Sequence, residues 1–231
     1  MFLIGTFFDS FFDLELILEF IRGGAVSDYY LWRPKLTSEG GGVILSDVPD
    51  ALAKDNLKLD SGQRIDKALS SLSIRRKTSE LGEFQDVVRT YGKWALIVSN
   101  KLKEKLVALG IDNIQWIRLE IDDQIEGKKL SFWCGNIVGI VDALDYEKTV
   151  IDEYDVIEEM YIDHAKCGEQ KIFRLKSYED VHILVNESIV SKLDVNEFSG
   201  LNFVLADGYV DLEAESNEKD DAEEDYVPWI S

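Results

Sequence analysis

The clearest periodic pattern of the chain lies between residues 94 and 121. Trp94 to Val98 is a continuous apolar run typical of a buried strand, and Ser99 or Asn100 can cap a helix that follows it. Gly110 supplies the left-handed conformation that often ends a helix, and the segment from Ile114 to Ile121 alternates as another strand. The apolar residues predicted to share one face of this helix are Leu102, Leu106, Val107 and Leu109.

The same order of features returns near residue 183. Ile183 to Val185 corresponds to Leu96 to Val98, and Asn186 corresponds to Ser99 as a helix start. The match predicts two similar strand-helix-strand elements. Two copies are too few for a solenoid, so we expect either one shared α+β body or two lobes built alike.

The remaining apolar runs are short and are bounded by Gly, Ser and Pro, which is typical of strands. The segments "DYYLWRP" and "GGGVILSDVP" are predicted as two strands joined by a loop, and residues 71–76 as a further strand. Turns are predicted at Gly127, Gly135 and Gly168. The predicted fold class is α+β, a strand-rich body with few helices.

Three segments differ in composition. Residues 1–27 are an apolar extension in which acids recur, so we predict an amphipathic helix rather than a membrane span or signal peptide. An alternative hypothesis is that residues 1–25 are translated leader ahead of a GTG start at Val26. Residues 28–210 are predicted to form the α+β domain. Residues 211–231 are rich in acids and predict a disordered tail, whose final "YVPWI" can dock back or engage a partner.

Charge and cysteine content narrow the function. The chain carries a formal net charge of -20, which repels nucleic acid and attracts basic surfaces. The basic stretch "SIRRKTSELGEFQDVVRTYGKW" is better explained as an edge strand protected by charges than as a nucleic-acid contact. Two cysteines fit a reducing compartment, so we expect a cytoplasmic protein.

Candidate zinc ligands are few. His164 and Cys167 have the spacing of metal ligands, and His182 and Cys134 complete a possible set of four. His182 lies in a predicted buried strand, and a turn ending at Gly168 explains His164 and Cys167 without a metal. We therefore predict no metal and no cofactor.

Catalytic motifs are equally weak. The segment Glu126-Gly127-Lys128 has the acid-x-Lys form of many metal-dependent nucleases, with Asp112 as a possible second carboxylate. A hairpin turn at Gly127 is the simpler explanation, and the negative charge of the protein disfavours a nucleic-acid substrate. We predict that the protein is not an enzyme and keep a hydrolase using Glu126 and Lys128 as the alternative.

The order of several segments resembles one known family. The segments are "DYYLWRP", "VILSDVPDAL", "WALIVSNKLKEKLVALGIDNIQWIRLEI", "NIVGIVDALD", "IFRLKSYEDVHILVNESIVSKL" and "GLNFVLADGY". Together they resemble the bacterial polymorphic-toxin immunity family eleven, formerly a domain of unknown function, over about residues 28–209. The resemblance implies a protein encoded beside a toxin that neutralises it by stoichiometric binding in bacterial competition. Such toxins are commonly delivered by contact-dependent or type VI secretion, and many are nucleases.

Exposed acids are the predicted contacts to a toxin with a basic surface. Charge complementarity speeds encounter, and a buried apolar centre supplies most of the affinity. The residues chosen for this role are Asp122, Asp123, Glu126, Asp152, Glu153, Asp155, Glu158 and Glu159.

Overall fold

A computed structural model describes residues 28–35, 42–90 and 95–210 of the chain. In this part strands clearly outnumber helices, so the prediction of a strand-rich body with few helices is confirmed, and the composition is consistent with the α+β class. The predictions for residues 1–27, for the tail 211–231 and for Trp94 lie outside the described residues.

The described part contains four helices and fourteen strands. The helices are α1 (Asp50–Lys54), α2 (Asn100–Ala108), α3 (His164–Cys167) and α4 (Glu187–Val190). The strands are β1 (Tyr29–Trp32), β2 (Ile44–Leu45), β3 (Leu72–Arg76), β4 (Val87–Thr90), β5 (Leu96–Val98), β6 (Ile114–Asp123), β7 (Lys128–Ile137), β8 (Ile140–Val141), β9 (Val150–Ile151), β10 (Ile157–Met160), β11 (Ile172–Leu175), β12 (Ile183–Asn186), β13 (Phe203–Leu205) and β14 (Tyr209–Val210).

The largest sheet has six strands in the order β2-β4-β5-β7-β6-β3. Its centre is the β6–β7 hairpin, which pairs without interruption from Ile114 opposite Ile137 to Asp123 opposite Lys128. Gly127, at φ +64, lies in the connection between the two strands, as the sequence predicted. Strand β3 pairs in parallel with β6 and forms one edge, which agrees with the prediction of a charged edge strand.

Two smaller sheets complete the body. One has five strands in the order β13-β1-β12-β11-β8, and the other has three in the order β14-β10-β9. Strand β1 therefore belongs to the five-stranded sheet and β2 to the six-stranded sheet, although the sequence places them next to each other.

Three clusters of buried apolar side chains form the core between the sheets and helices. The first joins the six-stranded and five-stranded sheets and includes Leu102 and Leu106 of α2 and Ile189 of α4. The second fills the space between the six-stranded sheet and α1. The third lies between the five-stranded and three-stranded sheets, next to α3. Residues of β12 alternate between two clusters, with Leu184 in the third and Val185 in the first, because successive strand side chains point to opposite faces.

The two stretches that the sequence aligned begin alike but continue differently. Ser99 accepts a hydrogen bond from the Leu102 N–H (3.2 Å), and Asn186 accepts one from the Ser188 N–H (2.9 Å), so both cap helices. Helix α2, however, has nine residues and α4 only four. The strands that follow, β6 and β13, also belong to different sheets.

Two local predictions are wrong. Val107 is exposed because it lies five residues after the buried Leu102, which places it about 140° around the helix from that residue. Gly135 is not in a turn but in β7, opposite Leu96 and Trp116. A Cβ at Gly135 would stand 3.0 Å from the Trp116 ring, so a side chain at this position would crowd the ring.

Within residues 28–35, 42–90 and 95–210, no helix has the length and apolar character needed to cross a membrane.

Candidate functional site

The eight predicted contact acids fall on two separate hairpins. Asp122, Asp123 and Glu126 lie at the end of the β6–β7 hairpin, in the six-stranded sheet. The other five lie in and around the β9–β10 hairpin, in the three-stranded sheet. The two groups differ in burial and in the cations around them.

Asp123 is not a surface residue, so its prediction as a contact acid is wrong. Its side chain is fully buried, and its Oδ2 accepts a hydrogen bond from the Arg76 guanidinium at 3.0 Å. Its Oδ1 accepts from the N–H groups of Ile125 (3.0 Å) and Glu126 (3.3 Å). Burial alone would raise the pKa of Asp123, but these N–H groups and the guanidinium outweigh it and hold the pKa below its ordinary value.

Arg76 also connects this hairpin to a neighbouring loop. Its Nε donates to the Glu80 carbonyl (2.9 Å), and its second terminal nitrogen donates to the Gly82 carbonyl (2.6 Å). Buried charges need such complete hydrogen bonding to offset the loss of water. Arg76 and Asp123 together thus fix the β6–β7 connection and the loop from Glu80 to Gly82.

The exposed acids of the same hairpin have nearby cations. Glu126 forms an ion pair with Lys128, and Asp122 lies 3.9 Å from Arg75 and opposite Lys129 in the strand register. The shallow cleft beside β3 is lined by four carboxylates, among them Asp47, and by the two cations Arg75 and Lys129. At this end of the molecule the acids are therefore interspersed with cations.

The geometry does not support a nuclease centre. Asp112 precedes β6, while Glu126 follows its far end, so the ten-residue strand separates them by roughly 30 Å. No group of three or more His, Cys, Asp or Glu residues within the described part is arranged to hold a metal ion.

The four candidate zinc ligands lie in different places. Cys134 is buried in the second apolar cluster and Cys167 in the third. His164 begins α3 and its Nε2 lies 2.8 Å from Asp207 Oδ2, while His182 precedes β12. Burial raises the pKa of Cys167 to about 12, so this thiol is protonated at neutral pH and is a poor metal ligand.

The acids of the β9–β10 hairpin have no comparable cations. None of the five forms an ion pair with a Lys, Arg or His of the described residues, although the acids of the β6–β7 hairpin do. The pKa of Tyr178 is raised above its ordinary value, first by burial and then by the negative charges of Asp155 and Asp152. The five acids are Asp152, Glu153, Asp155, Glu158 and Glu159.

Apolar side chains lie among these acids. Tyr154 is 73% exposed between Glu153 and Asp155, and Val156 follows it, also exposed. Val150 and Val210 flank Glu159 in the strand register of the three-stranded sheet, and both are exposed. We call Val150, residues 152–156, Glu158, Glu159 and Val210 the hairpin surface.

Sequence reasoning found the acids of the hairpin surface and missed its apolar residues. Tyr154 and Val156 stand in "DEYDVIEEM", where hydrophobic residues are interspersed with acids. Hydrophobic residues in such a short segment are equally typical of a strand with one buried face, so the sequence gives no sign that these two side chains face solvent.

Comparison with known proteins supplies the identity that the geometry alone does not. The profile of the immunity protein family Imm11 matches residues 28–207, which is more than half of the chain. The chain belongs to the Imm11 immunity protein family. A comparison with curated proteins gives no match. Membership of Imm11 confirms the resemblance and favours a role in toxin immunity without catalysis.

Proposed function

We propose that the protein is an immunity protein that binds a cognate bacterial toxin and neutralises it by stoichiometric occlusion. The observation that carries the proposal is the match to the Imm11 family across residues 28–207. Occlusion requires a surface rather than a reaction centre, and the dispersed positions of the candidate catalytic and zinc residues are in keeping with that requirement.

The partner in this proposal has a basic surface. A net charge of -20 accelerates encounter with a cationic protein and disfavours nucleic acid. The sequence also predicted Asp122 and Glu126 as contacts, but these two acids form ion pairs with Arg75 and Lys128. The acids proposed to contribute are therefore the five acids of the hairpin surface, without Asp122, Glu126 and the buried Asp123. The toxin is proposed to be a secreted nuclease or another antibacterial effector, delivered by contact-dependent or type VI secretion and met in the cytoplasm.

Co-expression tests this function. The product of the neighbouring gene should arrest growth when induced alone, and growth should be restored when this protein is produced with it. An inactive variant of the toxin should bind the purified protein in a 1:1 complex by size-exclusion chromatography with light scattering. A neighbouring product that is harmless alone, or that stays lethal in the presence of the protein, contradicts the proposal.

The metal-dependent hydrolase is not favoured, because Asp112 and Glu126 lie at opposite ends of β6. Incubation of the purified protein with DNA and RNA in Mg²⁺ or Mn²⁺ should give no cleavage. Cleavage that disappears in Glu126→Ala would restore the hydrolase interpretation.

A further inference from the structure

The hairpin surface combines exposed apolar side chains with acidic ones. Val150, Tyr154, Val156 and Val210 are each more than two-fifths exposed. Grouped apolar side chains rimmed by polar ones are typical of protein interaction sites, whereas single exposed apolar residues are ordinary. The acids around them differ from those of the β6–β7 hairpin because no cation of the described residues forms an ion pair with them.

The tip of this hairpin is held by its own hydrogen bonds. Asp152 Oδ1 accepts from the Tyr154 N–H (2.9 Å) and the Val156 N–H (2.7 Å), and the Asp152 N–H donates to the Val156 carbonyl (2.9 Å). Asp155 adopts a left-handed conformation at φ +62, which Asp tolerates better than most residues. A tip fixed in this way loses little conformational freedom on binding, which favours affinity.

The side chain of Glu159 is also held in position by contacts within the protein. The Tyr161 hydroxyl donates a hydrogen bond to its Oε1 (2.6 Å), and the two exposed valines of the register lie on either side. A carboxylate held between two apolar side chains can accept a hydrogen bond from a Lys or Arg whose aliphatic stem packs on the valines.

We propose that the hairpin surface is the main docking site for the cationic face of the toxin, with Tyr154 as the central anchor. This inference rests on the proposed function. Arg and Lys side chains of the toxin would contact Glu153, Asp155 and Glu158, and an Arg would pack against the Tyr154 ring. The β6–β7 hairpin, whose acids already have ion-pair partners, contributes little.

A second copy of this chain is a poorer occupant of the same surface. Two hairpin surfaces would bring together ten carboxylates, none of which forms an ion pair with a cation of the described residues, and like charges at an interface are strongly unfavourable. The charge therefore selects a basic partner rather than self-association.

The test compares variants of the two hairpins in binding to an inactive variant of the toxin encoded by the neighbouring gene. Tyr154→Ala should raise Kd by about thirtyfold, as expected for a central aromatic anchor. The combined variant Glu153→Gln, Asp155→Asn, Glu158→Gln should mainly slow association and flatten its salt dependence, since each change keeps the shape and removes the charge. The matched control is Asp122→Asn with Glu126→Gln, which should change Kd by less than about threefold.

The outcomes separate this inference from the proposed function. Wild-type protein that binds and protects, together with hairpin-surface variants that bind equally well, overturns the docking site and leaves the immunity function intact. Wild-type protein that neither binds nor protects overturns both. Circular dichroism melts of every variant should match wild type, and any variant that unfolds is replaced by Tyr154→Ser or by the single charge changes.

Zero-length carbodiimide cross-linking supplies a second readout that needs no variant. Mass spectrometry of the cross-linked wild-type complex should join Glu153, Asp155 or Glu158 to lysines of the toxin. Cross-links confined to Asp122 and Glu126 would contradict the proposal, as would a homodimer of the protein alone that Tyr154→Ala dissociates.

Discussion

At the scale of single residues, the burial of Asp123 shows that not every acid of this chain contributes to a negative surface. Many of the acids are solvated, but this one is needed inside the protein, where it fixes the β6–β7 connection and neutralises Arg76. The sequence could not reveal this, because Arg76 is separated from Asp123 by 47 positions and nothing local distinguishes Asp123 from Asp122.

Replacement of Asp123 should therefore affect stability rather than only binding. Asp123→Ala leaves Arg76 buried without a counter-charge and should lower the free energy of unfolding by about 3–5 kcal/mol. Urea denaturation followed by tryptophan fluorescence measures the loss. The neighbouring Asp122→Ala, whose ion pair is exposed, should cost no more than about 1 kcal/mol; equal losses in the two variants would show that Asp123 has no special role.

Acid should act through the same carboxylate. Because the folded-state pKa of Asp123 lies below its ordinary value of 3.8, its contribution to stability is complete above that pH and is lost as pH falls towards the folded pKa. Urea midpoints of the wild type should therefore drop below about pH 4. The drop should be shallower in Asp123→Asn. It should not disappear, because the pKa values of Asp142 and Asp145 are also lowered, chiefly by hydrogen bonds from Lys176 and Lys148 respectively.

At the scale of elements, the sequence predicted correctly the features that depend only on adjoining residues. Ser99 caps α2 and Gly110, at φ +71, follows its end, both as predicted from the adjoining residues. The role of Gly135 was missed because it depends on Trp116, Ile114 and Leu96, which lie on other strands. A glycine in a turn and a glycine facing a tryptophan ring look the same in one sequence.

Gly135 offers a direct test of this packing. In Gly135→Ala the added methyl group meets the Trp116 ring at 3.0 Å and Ile114 at 3.1 Å, so the variant should lose about 1–3 kcal/mol of stability. Ser131→Ala, on the same strand and face but exposed, should stay within about 0.5 kcal/mol of wild type. Thermal melts of both variants measure these stabilities. A Gly135→Ala variant as stable as wild type would mean that β7 can shift away from β6.

At the scale of the whole molecule, Arg174 is one of the polar links that join the layers. It lies fully buried on β11 and donates to the Glu179 carbonyl and, at 3.1 Å, to the Leu59 carbonyl, which belongs to the segment covering the six-stranded sheet. Burial lowers its pKa to about 10, still well above neutrality, so it remains charged.

Loss of that link should loosen the contact between layers. Arg174→Met keeps most of the volume but removes the donors of the buried Leu59 carbonyl and of the partly buried Glu179 carbonyl, which should cost about 2–4 kcal/mol. Hydrogen exchange should increase around Leu59 and Glu179 more than in α2. Uniformly faster exchange across the described residues would instead indicate that Arg174 supports the entire fold rather than one junction.

The position of β1 has a consequence for synthesis of the protein in the cell. This strand, near the start of the described part, lies between β12 and β13, so Tyr29 pairs with Asn186 and Tyr30 with Leu205, residues that are translated much later. The five-stranded sheet therefore cannot close while the ribosome is still producing the middle of the chain, and pairing between such distant segments is slow. Under the proposed immunity function, protection therefore begins only after the last strand of this sheet has been translated, which sets a minimum delay between expression of the gene and resistance.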